Sequence, residues 1–338
     1  MPGPLLDTLK GAKQPVAPIW LMRQAGRYLP EYRELRAAKG GFLELVYDSE
    51  AAAEITVQPI RRFGFDGAIL FSDILIVPHA MGQELEFLAG EGPKMSPTLL
   101  ETDLSDFIPA YERFEPIYET VRQTRAMIDD RVTMLGFAGS PWTVATYMIA
   151  GEGSKDQGAA RLLAYRDPAR MQAICDAIAD VSITYLRGQI DAGAEAVQLF
   201  DSWSGSLAPD EFERWVIAPN AKITAAIKHS HPETPVIGFP KGAGAKLPSY
   251  ARETGVDAVG LDETLDPYWA HASLPEGMPV QGNLDPLLVE AGGPTLAVRC
   301  KTILEAFADR PHVFNLGHGI GQHTPIAHVE ALLSAVRG

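Results

Sequence analysis

The sequence predicts an α/β protein: a single (β/α)8 TIM barrel over residues 1–338, with its active-site cleft at the C-terminal ends of the strands. Three observations carry that expectation. Eight short apolar runs recur along the chain, helix-length patterns lie between most of them, and one junction motif appears three times. Strands alternating with helices imply a parallel sheet, and eight of them suit a closed barrel; a doubly wound open sheet is the runner-up.

The first run, residues 16–22, breaks into Arg23 and Arg27, with Gly26 between them and Pro30 beyond. Gly allows backbone angles that other residues avoid, and Pro removes a helix donor, so a shaped loop leaves the strand here. Two guanidiniums at a strand mouth are planar forks suited to carboxylates or phosphates. The helix that follows carries Arg33 and Arg36, which the pattern pairs with Glu31 and Glu34 as a solvated face.

Runs two, four and six belong to the repeat. Residues 61–73, 191–202 and 253–262 each show a helix ending at Gly, an acidic residue two positions later, and an apolar run closing on Asp or Ser. Gly just past a helix followed by a buried strand is the αβ junction of a parallel sheet. Residues 132–138, 236–240, 280–283 and 313–316 complete the eight. Segment 74–131 is long for one unit and leaves room for a hairpin near residues 84–87. Among the helices, 168–192 is clearest, with Met171, Ile174, Ala177, Ile178 and Val181 at three- and four-residue spacing. Patterns at 209–228, 294–308 and 325–336 open with Pro, whose missing N–H is harmless in a first turn.

Composition narrows the function. Hydrophobic residues make up 46% of the chain, enough for a large core, and the net charge is −14. That charge opposes nucleic acid or an anionic membrane as partner, and it requires any site for an anion to be locally basic. Cys175 and Cys300 lie in separate helical patterns and form neither a disulfide framework nor a metal cluster, as expected of a reducing cytoplasm. Residues 1–17 hold no signal-peptide apolar core. The uncharged stretch 132–151 reaches membrane-spanning length, but Gly136, Gly139, Ser140 and Pro141 divide it into strand, loop and helix.

In a barrel the loops after the strands build the active face. Reading those positions gives Arg23 and Arg27, Asp73, Ser140 with Tyr147, Asp201 with Ser202, Lys241, Asp262, Asn283 with Asp285, and His318 between Gly317 and Gly319. Helix capping accounts for some of them. Asp73 is followed by an apolar, Pro-interrupted run, a poor helix start, so its carboxylate is expected to face a cavity. Ser202 serves equally as turn former or ligand contact, and Tyr147 equally as core tyrosine or ligand contact. His318 stands in a glycine-rich loop whose backbone can approach an anion. Residues 151–155 lack P-loop spacing, and Lys241-Gly-Ala-Gly-Ala-Lys246 lacks the third glycine of a dinucleotide fingerprint. His229 and His231 fall on a surface turn, His323 and His328 flank a helix start, and no set has zinc-ligand spacing.

Arg23-Gln-Ala-Gly-Arg-Tyr-Leu-Pro-Glu-Tyr-Arg33 and Phe71-Ser-Asp-Ile-Leu75 carry a resemblance. So do Gly139-Ser-Pro-Trp-Thr143 with Thr146-Tyr-Met148, Gln198-Leu-Phe-Asp-Ser202, Gln281-Gly-Asn-Leu-Asp-Pro286 and Asn315-Leu-Gly-His-Gly319. In this order, across almost the whole chain, they closely resemble the uroporphyrinogen decarboxylase family of haem and chlorophyll synthesis. The resemblance implies a cytoplasmic homodimer without metal or prosthetic group. Its reaction would remove four acetate carboxyls from uroporphyrinogen III as CO2, leaving methyls and coproporphyrinogen III. It places function on Arg23, Arg27, Asp73, Tyr147, Ser202 and His318, with Asp73, Arg23 and Arg27 nearest the chemistry. Two other readings are a zinc-dependent methyltransferase, for which the isolated cysteines are unsuited, and a silent carrier of acidic tetrapyrroles, which could dispense with Asp73.

Overall fold

The computed structural model describes residues 3–88 and 92–338. Seven parallel strands form one sheet in the order β1 (Gly67–Ile69), β4 (Thr133–Gly139), β5 (Ala196–Asp201), β6 (Val236–Pro240), β7 (Ala258–Gly260), β8 (Val280–Gln281) and β9 (His312–Val313). The two remaining strands, β2 (Glu84–Leu88) and β3 (Gly92–Ser96), make an antiparallel hairpin outside that sheet. The eighth barrel position is the shortened segment around Ile19. Ile19 bridges Phe314 in parallel; Trp20 N donates to Phe314 O and Phe314 N donates to Pro18 O. On the other side Asp66 N donates to Ile19 O, so the circle closes. Pro18 has no N–H to give, which helps explain why the first run yields a bridge and not a regular strand.

The threefold junction has a structural purpose. Asp66, Glu195 and Asp257 precede β1, β5 and β7, and each carboxylate accepts the backbone N–H of a residue on the neighbouring strand. The distances are 2.8 Å from Ile19, 2.9 Å from Met134 and 2.7 Å from Val236. Each of the three residues also donates its own N–H to the carbonyl of that same residue. A cation then meets each carboxylate: Arg337 at 3.4 Å, Arg125 at 2.9 Å and Lys228 at 2.7 Å. The acidic position after the helix-ending glycine therefore ties adjacent strands together at their N-terminal ends, the face of the barrel opposite the loops that follow the strands.

Helices follow the predicted patterns closely, as Pro168–Asp191, Pro294–Ala306 and Ile326–Arg337. The pattern at 209–228 is broken: Pro209–Phe212 and Ala218–Ser230 flank a π turn at Glu213–Ile217, directly ahead of Pro219. A proline cannot close the regular bond, so the helix widens there. The stretch 132–151 divides into β4 and the helix Pro141–Ala150, and no helix among the described residues is long and apolar enough to cross a membrane. Polar side chains cross the barrel interior. Trp20 Nε1 donates to Gln281 Oε1 at 2.9 Å, and Gln281 Nε2 donates to Gln198 Oε1 at 3.0 Å.

Candidate active site

Arg23 is exposed at the barrel mouth and has a left-handed backbone, φ 60°, which non-glycine residues seldom adopt. The surrounding bonds hold it there. Met22 N donates to Asn315 Oδ1 at 2.9 Å, Ile320 N donates to Met22 O, and Leu21 N donates to Gln24 Oε1. Gln24, fully buried, is itself anchored by donating to Gly67 O at 2.8 Å. Such over-determined local strain is found where a side chain must be aimed. Here the aim is across Gly319, where an added Cβ would come within 2.3 Å of Arg23 Cδ.

Asp73 follows β1, the strand beside Arg23. Its carboxyl is enclosed by protein while part of the residue stays open. Oδ1 accepts Leu75 N at 2.8 Å; no hydrogen bond from a described residue reaches Oδ2. Burial raises its pKa to about 6, against the opposing pull of the Leu75 N–H and the Arg23 charge. The expected poor helix start needs correction, since a five-residue helix, Ile76–Ala80, does form despite Pro78. Asp73 nevertheless leaves its cap position to Leu75.

Tyr147, on the helix after β4, is half-buried with its hydroxyl pKa raised chiefly by burial and also by the Asp73 charge. Its ring centroid lies 6.4 Å from that of Trp203. Ser202 stands half-buried in the turn between Asp201 and Trp203. His318, after β9, has its pKa lowered to about 4, first by burial, then by the charges of Arg23 and Lys241. It is thus a neutral imidazole at physiological pH, a hydrogen-bonding group and not a third cation. Arg23, Asp73, Tyr147 and His318 consequently share one electrostatic neighbourhood, to which no described bond or charge ties Ser202.

Arg27 is placed differently. It is exposed, donates to Gln322 Oε1 at 3.1 Å, and lines a cleft of about 830 Å³ with Arg33, Arg36 and His323 among its walls. The expected pairing of Arg33 and Arg36 with Glu31 and Glu34 is not found. Arg33 donates to the carbonyls of Arg27 and Tyr28, whereas Glu31 pairs with Arg62 at 2.7 Å. Three guanidiniums therefore border an open cleft, and His323, which the sequence placed only beside a helix start, borders it too. His328 does serve structure, with Nδ1 against Val289 O and Glu290 O.

Other strand-end residues shape loops. Asn283 Nδ2 donates to Asp262 O and Leu265 O, Asp285 caps the helix Pro286–Ala291, and Ser140 Oγ donates to Asn220 Oδ1. Asp201 is fully buried: it accepts Thr143 Oγ1 at 2.5 Å, and Thr143 Oγ1 in turn accepts Trp203 N at 3.1 Å. That bridge joins the Ser202 turn to the helix carrying Tyr147, and no local pattern could have shown it. Burial lifts the Asp201 pKa to about 7 against the bonds from Thr143 and Asn220. Cys175 and Cys300 are both buried thiols whose pKa burial raises. Among the described residues, no group of three or more His, Cys, Asp and Glu is arranged to hold a metal ion.

Comparison with known proteins gives a consistent result. The family model described as Uroporphyrinogen decarboxylase (URO-D) matches residues 3–338. A uroporphyrinogen decarboxylase of Erythrobacter litoralis is 71% identical over 337 residues, covering 100% of this chain and 99% of the relative. One from Novosphingobium aromaticivorans is 70% identical over 338 residues, again covering 100% of this chain and 99% of the relative. Among solved structures, a methyltransferase from Methanosarcina mazei aligns with TM-score 0.83 at 19% identity, over 98% of this chain and 96% of that one. The last likeness is one of fold.

Proposed function

The chain belongs to the uroporphyrinogen decarboxylase family, and from that membership we propose that it converts the four acetate side chains of uroporphyrinogen III to methyls, releasing CO2 and coproporphyrinogen III. We take the whole chain to act as one decarboxylase domain, working as a homodimer in the cytoplasm. The observation that carries the site assignment is Asp73, an enclosed carboxylate with one oxygen uncommitted and near enough to Arg23 to feel its charge.

A pyrrole acetate cannot simply lose CO2, because the electrons left behind have no acceptor. Protonating the adjacent ring carbon makes an iminium-like cation that takes them up as CO2 leaves; protonation of the resulting exocyclic methylene makes the methyl, and loss of the first proton from the ring carbon restores the pyrrole. The substrate ring is then its own electron sink, with no cofactor needed for that task. Asp73 in its ionised form would accept hydrogen bonds from the pyrrole N–H groups, and those bonds strengthen as the ring becomes cationic. Stabilisation that grows toward the transition state is what accelerates a step. Enclosure of the Asp73 carboxyl favours this role, since burial makes its charge count for more.

Arg23 would hold a substrate carboxylate close to Asp73, and Arg27 another on the rim. Tyr147, Ser202 and neutral His318 would complete the grip by donating hydrogen bonds. Anaerobic incubation with uroporphyrinogen III tests the reading. Stoichiometric CO2 with stepwise loss of carboxyls supports it. Tight binding without CO2, or zinc-dependent methyl transfer, overturns it.

A further inference from the structure

We propose that Lys241 is a further substrate carboxylate-binding residue of this site, gripping the side of the macrocycle opposite Arg23. The inference deepens the decarboxylase reading and rests on it. Its starting point is circular order. From the Ile19 segment the barrel runs through β1, β4 and β5 to β6 in one direction, and through β9, β8 and β7 to β6 in the other. The loop after β6 is therefore diametrically across the mouth from Arg23, and Lys241 is its first residue.

The Lys241 backbone is fixed from both sides. Its N–H donates to Asp201 O at 3.0 Å, and its carbonyl accepts Gly205 N at 3.1 Å and Ser204 Oγ at 2.9 Å. The next residue, Gly242, donates to Asp262 Oδ2 at 2.8 Å. The side chain, in contrast, is only loosely engaged. Its ammonium is 3.7 Å from Glu263 Oε1, beyond hydrogen-bonding range, and Glu263 Oε2 is buried without a hydrogen-bond partner. An ammonium on a rigid backbone with a slack counter-ion can turn to a better carboxylate when one arrives.

A continuous belt joins it to Arg23. The Arg23 stem crosses Gly319, His318 follows in the chain, and Gly317 packs on the backbone of Glu263, where an added Cβ would come within 2.1 Å of Glu263 N. Glu263 then meets Lys241. The charges of Arg23 and Lys241 both bear on His318, so the two cations look into one space. The second lysine of that glycine-rich stretch provides a contrast. Lys246 is committed to structure, its ammonium donating to Leu207 O at 2.7 Å and lying 4.8 Å from the centre of the Phe212 ring. A macrocycle carrying carboxylates all round its edge presents some of them away from the arginines, where a chain of net charge −14 needs a local cation to receive them.

The test compares wild type with Lys241→Met, Lys241→Arg and Glu263→Gln. Lys241→Met is expected to raise KM for uroporphyrinogen about tenfold with kcat changed far less, as loss of one charge-assisted contact dictates. Lys241→Arg should recover most of that loss, and Glu263→Gln should leave KM equal or lower. If the pair is merely structural, Lys241→Met and Glu263→Gln will lower the urea midpoint alike and leave KM unmoved, which overturns the proposal. Release of CO2 by wild type reports on the decarboxylase reading separately. Should wild type release none, quenching of tryptophan fluorescence by uroporphyrin I still decides the point: equal affinity for wild type and Lys241→Met overturns the role of Lys241.

Discussion

The aliphatic stem of Arg23 lies against the backbone of Gly319, close enough that no side chain fits between them. The residue that opens the catalytic face and the loop that closes it are thus in direct contact. Arg23 is exposed beyond that contact and free to swing aside. Gly319→Ala is expected to fold normally yet displace the guanidinium, raising KM about tenfold or more, the scale of a hydrogen bond to a charged group. Kinetics alongside a urea melt checks this; an unchanged KM would show that Arg23 is not aimed by Gly319.

Asp73 must be ionised to balance a ring cation. With a pKa of about 6, kcat/KM should fall as pH drops below about 6, the protonated enzyme being inactive. Asp73→Asn should lose turnover by orders of magnitude at every pH while keeping its fold. A wild-type profile flat down to pH 5, or near-normal rates in the variant, would remove Asp73 from the chemistry.

Asp201 bears on stability. Burial raises its folded-state pKa to about 7, so the folded protein holds this proton more tightly than the unfolded chain does. The sign follows: Asp201 lowers stability progressively as pH rises from about 4, the unfolded carboxyl value, to about 7, and the full penalty persists above that. The urea midpoint of Asp201→Asn, measured from pH 5 to 8, should therefore gain on wild type as pH rises. A constant difference across that range would place the Asp201 pKa near its ordinary value.

The junction carboxylates act at the other end of the barrel. Glu195→Ala leaves the Met134 N–H without its acceptor and takes the carboxylate from Arg125, which keeps its bonds to the carbonyls of Ile128, Asp129 and Val132; the loss is expected to cost about 1–3 kcal/mol of stability. KM should stay within about twofold of wild type, since the contact is remote from the catalytic loops. Chemical denaturation and steady-state kinetics on one preparation separate the two effects.

Much of this was legible in the sequence because local chemistry determined it. The eight strand positions announced themselves as apolar runs, and the hairpin expected near residues 84–87 is the β2–β3 pair. The glycine-then-acid junction correctly marked three strand starts, although its role as a clamp on the neighbouring strand needed the fold. What failed was pairing across distance. Arg33 and Arg36 lie beside Glu31 and Glu34 in sequence, yet Glu31 pairs with Arg62, on another helix. The Asp201–Thr143–Trp203 bridge spans some sixty residues, and nothing in the spacing hints at it. Strand ends showed where polar groups would gather; which of them serve as caps and loop braces was settled by packing.

The closing seam of the barrel has a consequence for how the protein comes to be made. Arg23 stands just past the Ile19 bridge, and its backbone is aligned by Asn315 and Ile320, close to the end of the chain. Arg337, in the last helix, then reaches back to Phe63 O, Gly64 O and Asp66. A growing chain still on the ribosome can have its first arginine and its buried aspartate in place and still have nothing to aim the one at the other. The bonds that fix the backbone ahead of Arg23 form only once residues 315–320 have been added.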